Sequence, residues 1–319
     1  MTEITGIHHV TAIAGDPQQN LDFYTGVLGL RLVKRSVNQD DPGTYHLFYA
    51  DAEGHPGSDL TFFPWTHLAP SRQGVGLVVE VPLTVPTGSL GYWLERLTHY
   101  GVALGEAQPR FGEKTLVFRD PHGLELSLAE SDGPRDFAPW QSSPVPEAQQ
   151  IRGIHGAKAY LRELAPTAQF LTTVLGFKLL AQDGGWHRFG MVGRSLISGA
   201  GSYFDILEVP NAPRGQWGVG SVHHVAWRVA DTDATRQVRA RVAAAGRRPT
   251  EIIDRFWFKS VYFMEPGGVL FELATDGPGF AVDEDPAALG EQLILPPWLE
   301  PQRAQIEAVL PPLKLAHPA

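Results

Sequence analysis

The sequence predicts an α+β fold built of four βαβββ modules arranged in two halves. Three observations predict it. First, "GIHHVTAIAGDPQQNLDFYTGVLGLRLV" at 6–33 aligns without gaps on "GIHGAKAYLRELAPTAQFLTTVLGFKLL" at 153–180, so both halves open with one unit. Second, "TLVFRDPHGLELSLAESD" at 115–132 resembles "SVYFMEPGGVLFELATD" at 260–276, so both halves close with one hairpin. Third, an apolar strand and a Gly-stopped helical stretch precede each hairpin, at 74–101 and 221–246.

The elements follow in order. Module one (6–65) reads as an apolar strand, a polar turn and an amphipathic helix ended by Gly29, which suits a left-handed C-cap. Strand "LRLV" follows at once. Module two (74–132) has strand "GVGLVVEVP", helix "GSLGYWLERLTHYG" and a hairpin turned at Asp120-Pro121-His122-Gly123, where Pro fixes φ and Gly permits a positive φ. These two modules make the N-terminal half, 1–132, and the Pro- and Ser-rich stretch 133–150 reads as a linker. The C-terminal half, 151–276, repeats the plan in modules three (153–210) and four (221–276), with a turn at Glu265-Pro266-Gly267-Gly268. The Pro-rich tail 277–319 holds one short helix, "PQRAQIEAVL", between extended segments, because its prolines forbid a continuous helix.

Composition narrows the function. A formal net charge of −9 with no basic cluster argues against nucleic acid as a partner. No apolar run is long enough to suggest a membrane span, and the start lacks the features of a secretory signal, so a cytoplasmic location is the expectation. With no cysteine, any metal must be held by His, Asp or Glu. The pair "GIHHV" (6–10) and "SVHHV" (221–225) then stands out, since each sets adjacent histidines at the head of an apolar strand. Neighbours on a regular strand face opposite ways, so one histidine of each pair is expected to face a shared site.

Four βαβββ modules, strands headed by "HHV" and hairpins ending in "ELA" resemble the vicinal oxygen chelate superfamily, which includes glyoxalases, bleomycin-resistance proteins and extradiol dioxygenases. The resemblance covers about 6–276, and the four-module layout is similar to that of its ring-cleaving dioxygenases. It implies that paired modules form curved, incomplete β-barrels around a metal held by first and last strands. Carrying the family pattern onto the repeats selects His9, His224 and Glu272 as ligands. The aligned positions elsewhere are Gly76 and Gly156 on first strands and Ser127 on a last strand, with Glu208 near that level in module three and Thr61 or Phe62 in module one. The complete set thus spans modules one and four, as in hydroquinone-type ring-cleaving dioxygenases. Two histidines and one carboxylate leave coordination positions open, as in non-haem Fe(II) oxygenases; Mn(II) fits the same ligands.

The resemblance implies catalytic roles for Tyr262 and Arg255, which precede Glu272 as in the similar dioxygenases. Strand alternation back from Glu272 puts Tyr262 on the same face. His8, Thr11 and His223 are supporting candidates beside the ligands. Trp227, Phe256 and Phe258 are candidates for an aromatic pocket wall, although core is the commoner place for such residues; His46 is a candidate pocket residue without a metal role, and His55 is expected in an exposed turn. The expected activity is Fe(II)-dependent insertion of O2 into a hydroquinone or catechol-like diol. The alternatives are a glyoxalase-type isomerase or lyase, which would want a fourth ligand, and a metal-free protein that sequesters aromatic compounds. An assembly of copies of the chain is compatible with all three.

Overall fold

The computed structural model describes residues 4–105, 109–133, 135–191 and 203–315. Module one contributes β1 (Ile4–Ala14), α1 (Pro17–Leu21, continued as a π-helical turn over Asp22–Val27), β2 (Arg31–Asn38), β3 (Asp41–Ala50) and β4 (Asp59–Pro64). Module two contributes β5 (Leu77–Val85), α2 (Leu90–His99), β6 (Thr115–Arg119) and β7 (Glu125–Glu130). Here the strand after the helix shrinks to a bridge between Leu104 and Phe118. Module three holds β8 (Gly156–Leu161), α3 (Leu164–Thr173), β9 (Lys178–Asp183), β10 (Trp186–Gly190) and β11 (Tyr203–Glu208). Module four holds β12 (Val222–Val229), α4 (Thr232–Ala244), β13 (Ile253–Asp254), β14 (Lys259–Met264) and β15 (Leu270–Thr275).

The local chemistry explains these elements. Asp16 and Asp231 cap α1 and α4 by accepting backbone N–H bonds from Gln19 and from Asp233 and Ala234. Gly29 ends the first helix at φ 71°, and a Cβ there would sit 2.5 Å from Val145 and 2.6 Å from Ser143 of the 133–150 stretch. That stretch therefore packs closely on module one instead of spanning open solvent. Ala138 donates to Asp51, and Ser143 donates to the Gly29 carbonyl.

Strand pairing crosses the two sequence halves. The first sheet runs β13-β14-β15-β12-β1-β4-β3-β2 and joins modules four and one. The second runs β6-β7-β5-β8-β11-β10-β9 and joins modules two and three. Each sheet is centred on an antiparallel pair of first strands, β1 with β12 and β5 with β8. Two half-barrels result, and the 133–150 stretch separates sequence repeats rather than sheets.

The tail closes the first half-barrel. It holds short 3-10 turns and one helix, α5 (Arg303–Val309), within the stretch expected from the sequence. Phe280 and Leu289 join Val33, Phe48, Ala50 and Trp257 in an apolar cluster. Lys34, fully buried on β2, donates to the Phe280 carbonyl and to the carboxylates of Asp283 and Glu284. Its ammonium also lies 5.2 Å from the Trp257 ring. A buried charge needs such a set of partners, so this contact fixes where the tail crosses the barrel. Among the described residues, no helix is long and apolar enough to cross a membrane.

Candidate metal centre

β1 and β12 run antiparallel through the middle of the first sheet, and each carries one "HHV" segment. Their register contains two irregularities that decide the site. Ile7 pairs with Trp227 and His9 with Ala226, leaving His8 as an extra residue. Thr11 pairs with His224 and Ala12 with Val222, leaving His223 as an extra residue. A bulge breaks strict alternation and re-aims side chains. Adjacent histidines, expected on opposite faces, therefore touch. His8 Nδ1 lies 3.0 Å from His9 Nδ1, and His223 Nδ1 lies 2.8 Å from His224 Nδ1.

The far side of each inner ring points to one place. His9 Nε2 and His224 Nε2 are 3.2 Å apart, although the residues are 215 positions apart in sequence. Glu272, on β15, pairs in parallel register with Ala226 and so faces the same way as His224. Its Oε2 lies 3.3 Å from His9 Nε2 and 2.8 Å from His224 Nε2. All three residues are buried. Oε2 nevertheless has no hydrogen-bond partner of proper geometry, while Oε1 accepts from Ser260. The two Nε2 atoms lie within hydrogen-bonding distance of each other, and the unpartnered Oε2 meets them in the same buried place. Such a donor set matches a divalent cation, and the triad is the cluster of this kind among the described residues.

The electrostatics agree. Burial works to raise the Glu272 pKa, yet the neighbouring His9 and His224 rings hold it well below the usual carboxylate range. Burial pulls His224 down. Burial, with His9 beside it, lowers His8 to about 3, and burial with His224 does the same for His223. The outer rings are thus neutral at physiological pH. Each Nδ1 pair can then share one proton, which leaves the inner Nε2 lone pair free for a metal.

Other expected residues fall around this centre. Tyr262 pairs directly with Glu272 across β14 and β15, and its ring centre is 5.6 Å from that of His224. Burial, then the Glu272 charge, raises its phenol well above the usual range. The Arg255 guanidinium lies 5.5 Å from the Tyr262 ring and makes a two-pronged pair with Asp40. Thr11 bonds Thr61 at 2.7 Å, and Thr61 bonds His46 Nε2 at 2.9 Å. His9, His46, His224, Arg255, Phe258 and Tyr262 all line one cavity.

Several sequence candidates lie elsewhere than the cavity or differ from expectation. Trp227 does not wall this cavity. It is three positions from His224 and turns to the opposite face, where it packs on Phe177, Phe204 and Phe271. Phe256, at φ 74°, packs on Trp257 and Trp298 instead, while Trp257 takes the place beside Phe258 in the cavity wall. His55 is half-buried and bonds Asp51 at 2.7 Å. Thr61 spends its hydroxyl on Thr11 and His46, and Phe62 is core. In module two the register match to His224 is Glu80, not Gly76, because Lys158 pairs with Glu80 as Thr11 pairs with His224. In module three Asp205 stands opposite Lys158, while Glu208 is exposed and accepts from the Leu164 N–H. Sequence reading missed Ser260, although its even spacing from Glu272's partner Tyr262 placed it on the right face. It also missed Asn38, Gln39 and Asp40 at the cavity mouth, for which no motif gave a signal.

Paired βαβββ modules around a two-histidine, one-carboxylate cluster define a metal-site protein of the half-barrel kind. The chain belongs to the Glyoxalase/Bleomycin resistance protein/Dioxygenase superfamily, whose family model matches residues 6–128 and 153–273. It is 42% identical over 313 residues to a Bacillus subtilis (strain 168) protein named "Putative ring-cleaving dioxygenase MhqO", covering 97% of both chains. It is 33% identical over 305 residues to the chlorohydroquinone/hydroquinone 1,2-dioxygenase of Sphingobium indicum, covering 93% of both. A crystal structure of a Bacillus subtilis "putative dioxygenase" superposes with a TM-score of 0.92 at 39% identity, covering 99% of this chain and 100% of that one.

Proposed function

We propose that this protein is a non-haem Fe(II)-dependent ring-cleaving dioxygenase that takes a hydroquinone or catechol-like diol and O2. The carrying observation is the orphaned Glu272 Oε2 between two histidine nitrogens, three buried ligand atoms on one side of a cavity. The full-length likeness to ring-cleaving dioxygenases, one of them named for hydroquinones, supports the choice of reaction and substrate. His9, His224 and Glu272 would hold the metal; Mn(II) suits the same atoms. Bound Fe(II) would acidify a coordinated hydroxyl and pass electron density between ring and O2.

The surrounding residues have separate tasks in this reading. His8 and His223 fix the tautomers and ring angles of His9 and His224 through the Nδ1 contacts. Tyr262, kept protonated by burial and by the Glu272 charge, donates its phenolic hydrogen to a substrate oxygen. Arg255 stays cationic and offsets the charge of a deprotonated diol. Thr11 bonds Thr61, which in turn bonds the cavity residue His46, and so supports that ring from behind the wall. Phe258 and Trp257 supply flat apolar walls for a ring.

A glyoxalase-type isomerase would gather a fourth ligand, and Thr61 at that level is committed to Thr11 and His46. The test is oxygen consumption by Fe(II)-loaded protein with a panel of hydroquinones and catechols. The proposal expects stoichiometric O2 uptake with at least one diol and loss of the aromatic absorbance. Iron-loaded protein that consumes no O2 with any diol contradicts it.

A further inference from the structure

We infer that Asp40 sets the charge of substrate this site accepts: paired with Arg255, it selects diols without a carboxylate substituent and turns carboxylated ones away. This inference rests on the proposed dioxygenase reading and refines its substrate class. Among the described residues lining the cavity, Arg255 is the cation other than histidine, and Asp40 stands with it at the mouth. The pair is forked: Arg255 Nη1 donates to Asp40 Oδ1 at 3.1 Å and Nη2 to Oδ2 at 2.7 Å. Both partners are held in place. Gln39 Nε2 donates to the Arg255 carbonyl at 2.9 Å, and the Arg255 N–H donates to the Phe258 carbonyl at 2.9 Å. The turn between β2 and β3 of module one thereby grips the loop before β14 of module four.

A substrate carboxylate would seek the same planar fork, because that geometry is what a guanidinium offers. Asp40 already fills it. A carboxylated diol must either break the pair or lie beside a like charge. An uncharged ring substituent meets neither obstacle. Stability does not explain the pair: the Asp40 side chain is 72% exposed against 14% for Arg255, and such pairs contribute little to folding. Its effect falls on what enters the cavity.

The test compares hydroquinone with 2,5-dihydroxybenzoate on the full chain, wild type against Asp40→Asn, with Asp41→Asn as control. Asp41 is exposed in the same turn and bonds Thr44 and Trp65, away from Arg255. Binding is read anaerobically by tryptophan fluorescence, and turnover by kcat/KM for O2 uptake. Wild type should prefer hydroquinone. Asp40→Asn should shrink that preference about three- to fivefold, the scale of a partly exposed charge pair, and the change should fade in high salt. Asp41→Asn should leave the preference unchanged. An unaltered preference in Asp40→Asn, or wild type that takes both compounds equally, overturns the role of Asp40. If no diol drives O2 uptake the dioxygenase reading falls, while the anaerobic binding ratio still decides the charge preference.

Discussion

At the centre of the first half-barrel, His9 and His224 face each other across β1 and β12; at the matching register of the second stand Gly156 and Glu80. The equivalence follows from pairing, since Thr11 meets His224 in one and Lys158 meets Glu80 in the other. Glu272 in the first matches Ser127 in the second. The first centre gathers ligand atoms and carries no cation of its own. The second carries its cation covalently: Lys158 Nζ lies 2.5 Å from Glu80 Oε1, which also accepts from Ser127 at 2.6 Å. Beside it, Arg188 forks onto Asp205 at 2.9 and 2.8 Å and reaches Glu113 at 2.8 Å, and Glu113 meets His155 at 3.1 Å. Gly156 completes the difference, because even a Cβ there would lie 2.7 Å from the Tyr203 carbonyl oxygen. One fold can therefore satisfy its buried carboxylate with an internal ammonium or leave the place for a metal. Only the second option gives a cation with open positions for chemistry.

Lys158 carries the largest difference between the two centres. Lys158→Met leaves the Glu80 carboxylate buried without its main partner and should cost about 3–5 kcal/mol in urea unfolding. Iron stoichiometry should stay at the wild-type value, since the two centres hold their charges separately. A stable Lys158→Met protein, or one that loses its iron while folded, would blur the distinction.

Acid sharpens the comparison with a smaller effect. Burial depresses His8 and His223 to about 3, and it lowers His46 and His155 as well. A histidine with a depressed native pKa lets the unfolded chain bind protons first. Its contribution is thus complete above about 6.5, the unfolded value, and is lost as pH falls from there toward about 3. Three of these four belong to the first half-barrel. Metal-free protein should lose on the order of 1 kcal/mol for each of His8 and His223 between pH 6.5 and 5.5 in urea titrations, with His46 and His155 acting in the same direction. His223→Gln should flatten the slope. A pH-independent stability over this range would contradict the buried neutral state of these rings.

Much of this arrangement was legible in the sequence. The module repeat, the hairpin turns and the short tail helix follow from local patterns. His9, His224 and Glu272 follow from the resembled family's ligand pattern laid over the registers shared between repeats. Tyr262 follows from the resemblance together with alternation back from Glu272, and the same alternation already puts Trp227 on the far face of β12 from His224. What stayed hidden depends on pairing over long sequence distances. The bulges at His8 and His223 exist because β1 meets β12, and no local signal announces them. Module two carries a bulge at Val79 equivalent to that at His223, and strand pairing selects Glu80, four positions beyond the Gly76 to which alignment pointed. The Asp40–Arg255 pair is a tertiary fact of the same kind.

One divalent metal is expected between residues from opposite ends of the chain. Equilibrium dialysis of anaerobically prepared protein against Fe(II), wild type beside Glu272→Ala, tests it most directly. One iron per wild-type chain is expected, with none in Glu272→Ala and no second ion in the half-barrel that holds Lys158. Stoichiometric iron retained by folded Glu272→Ala would contradict it.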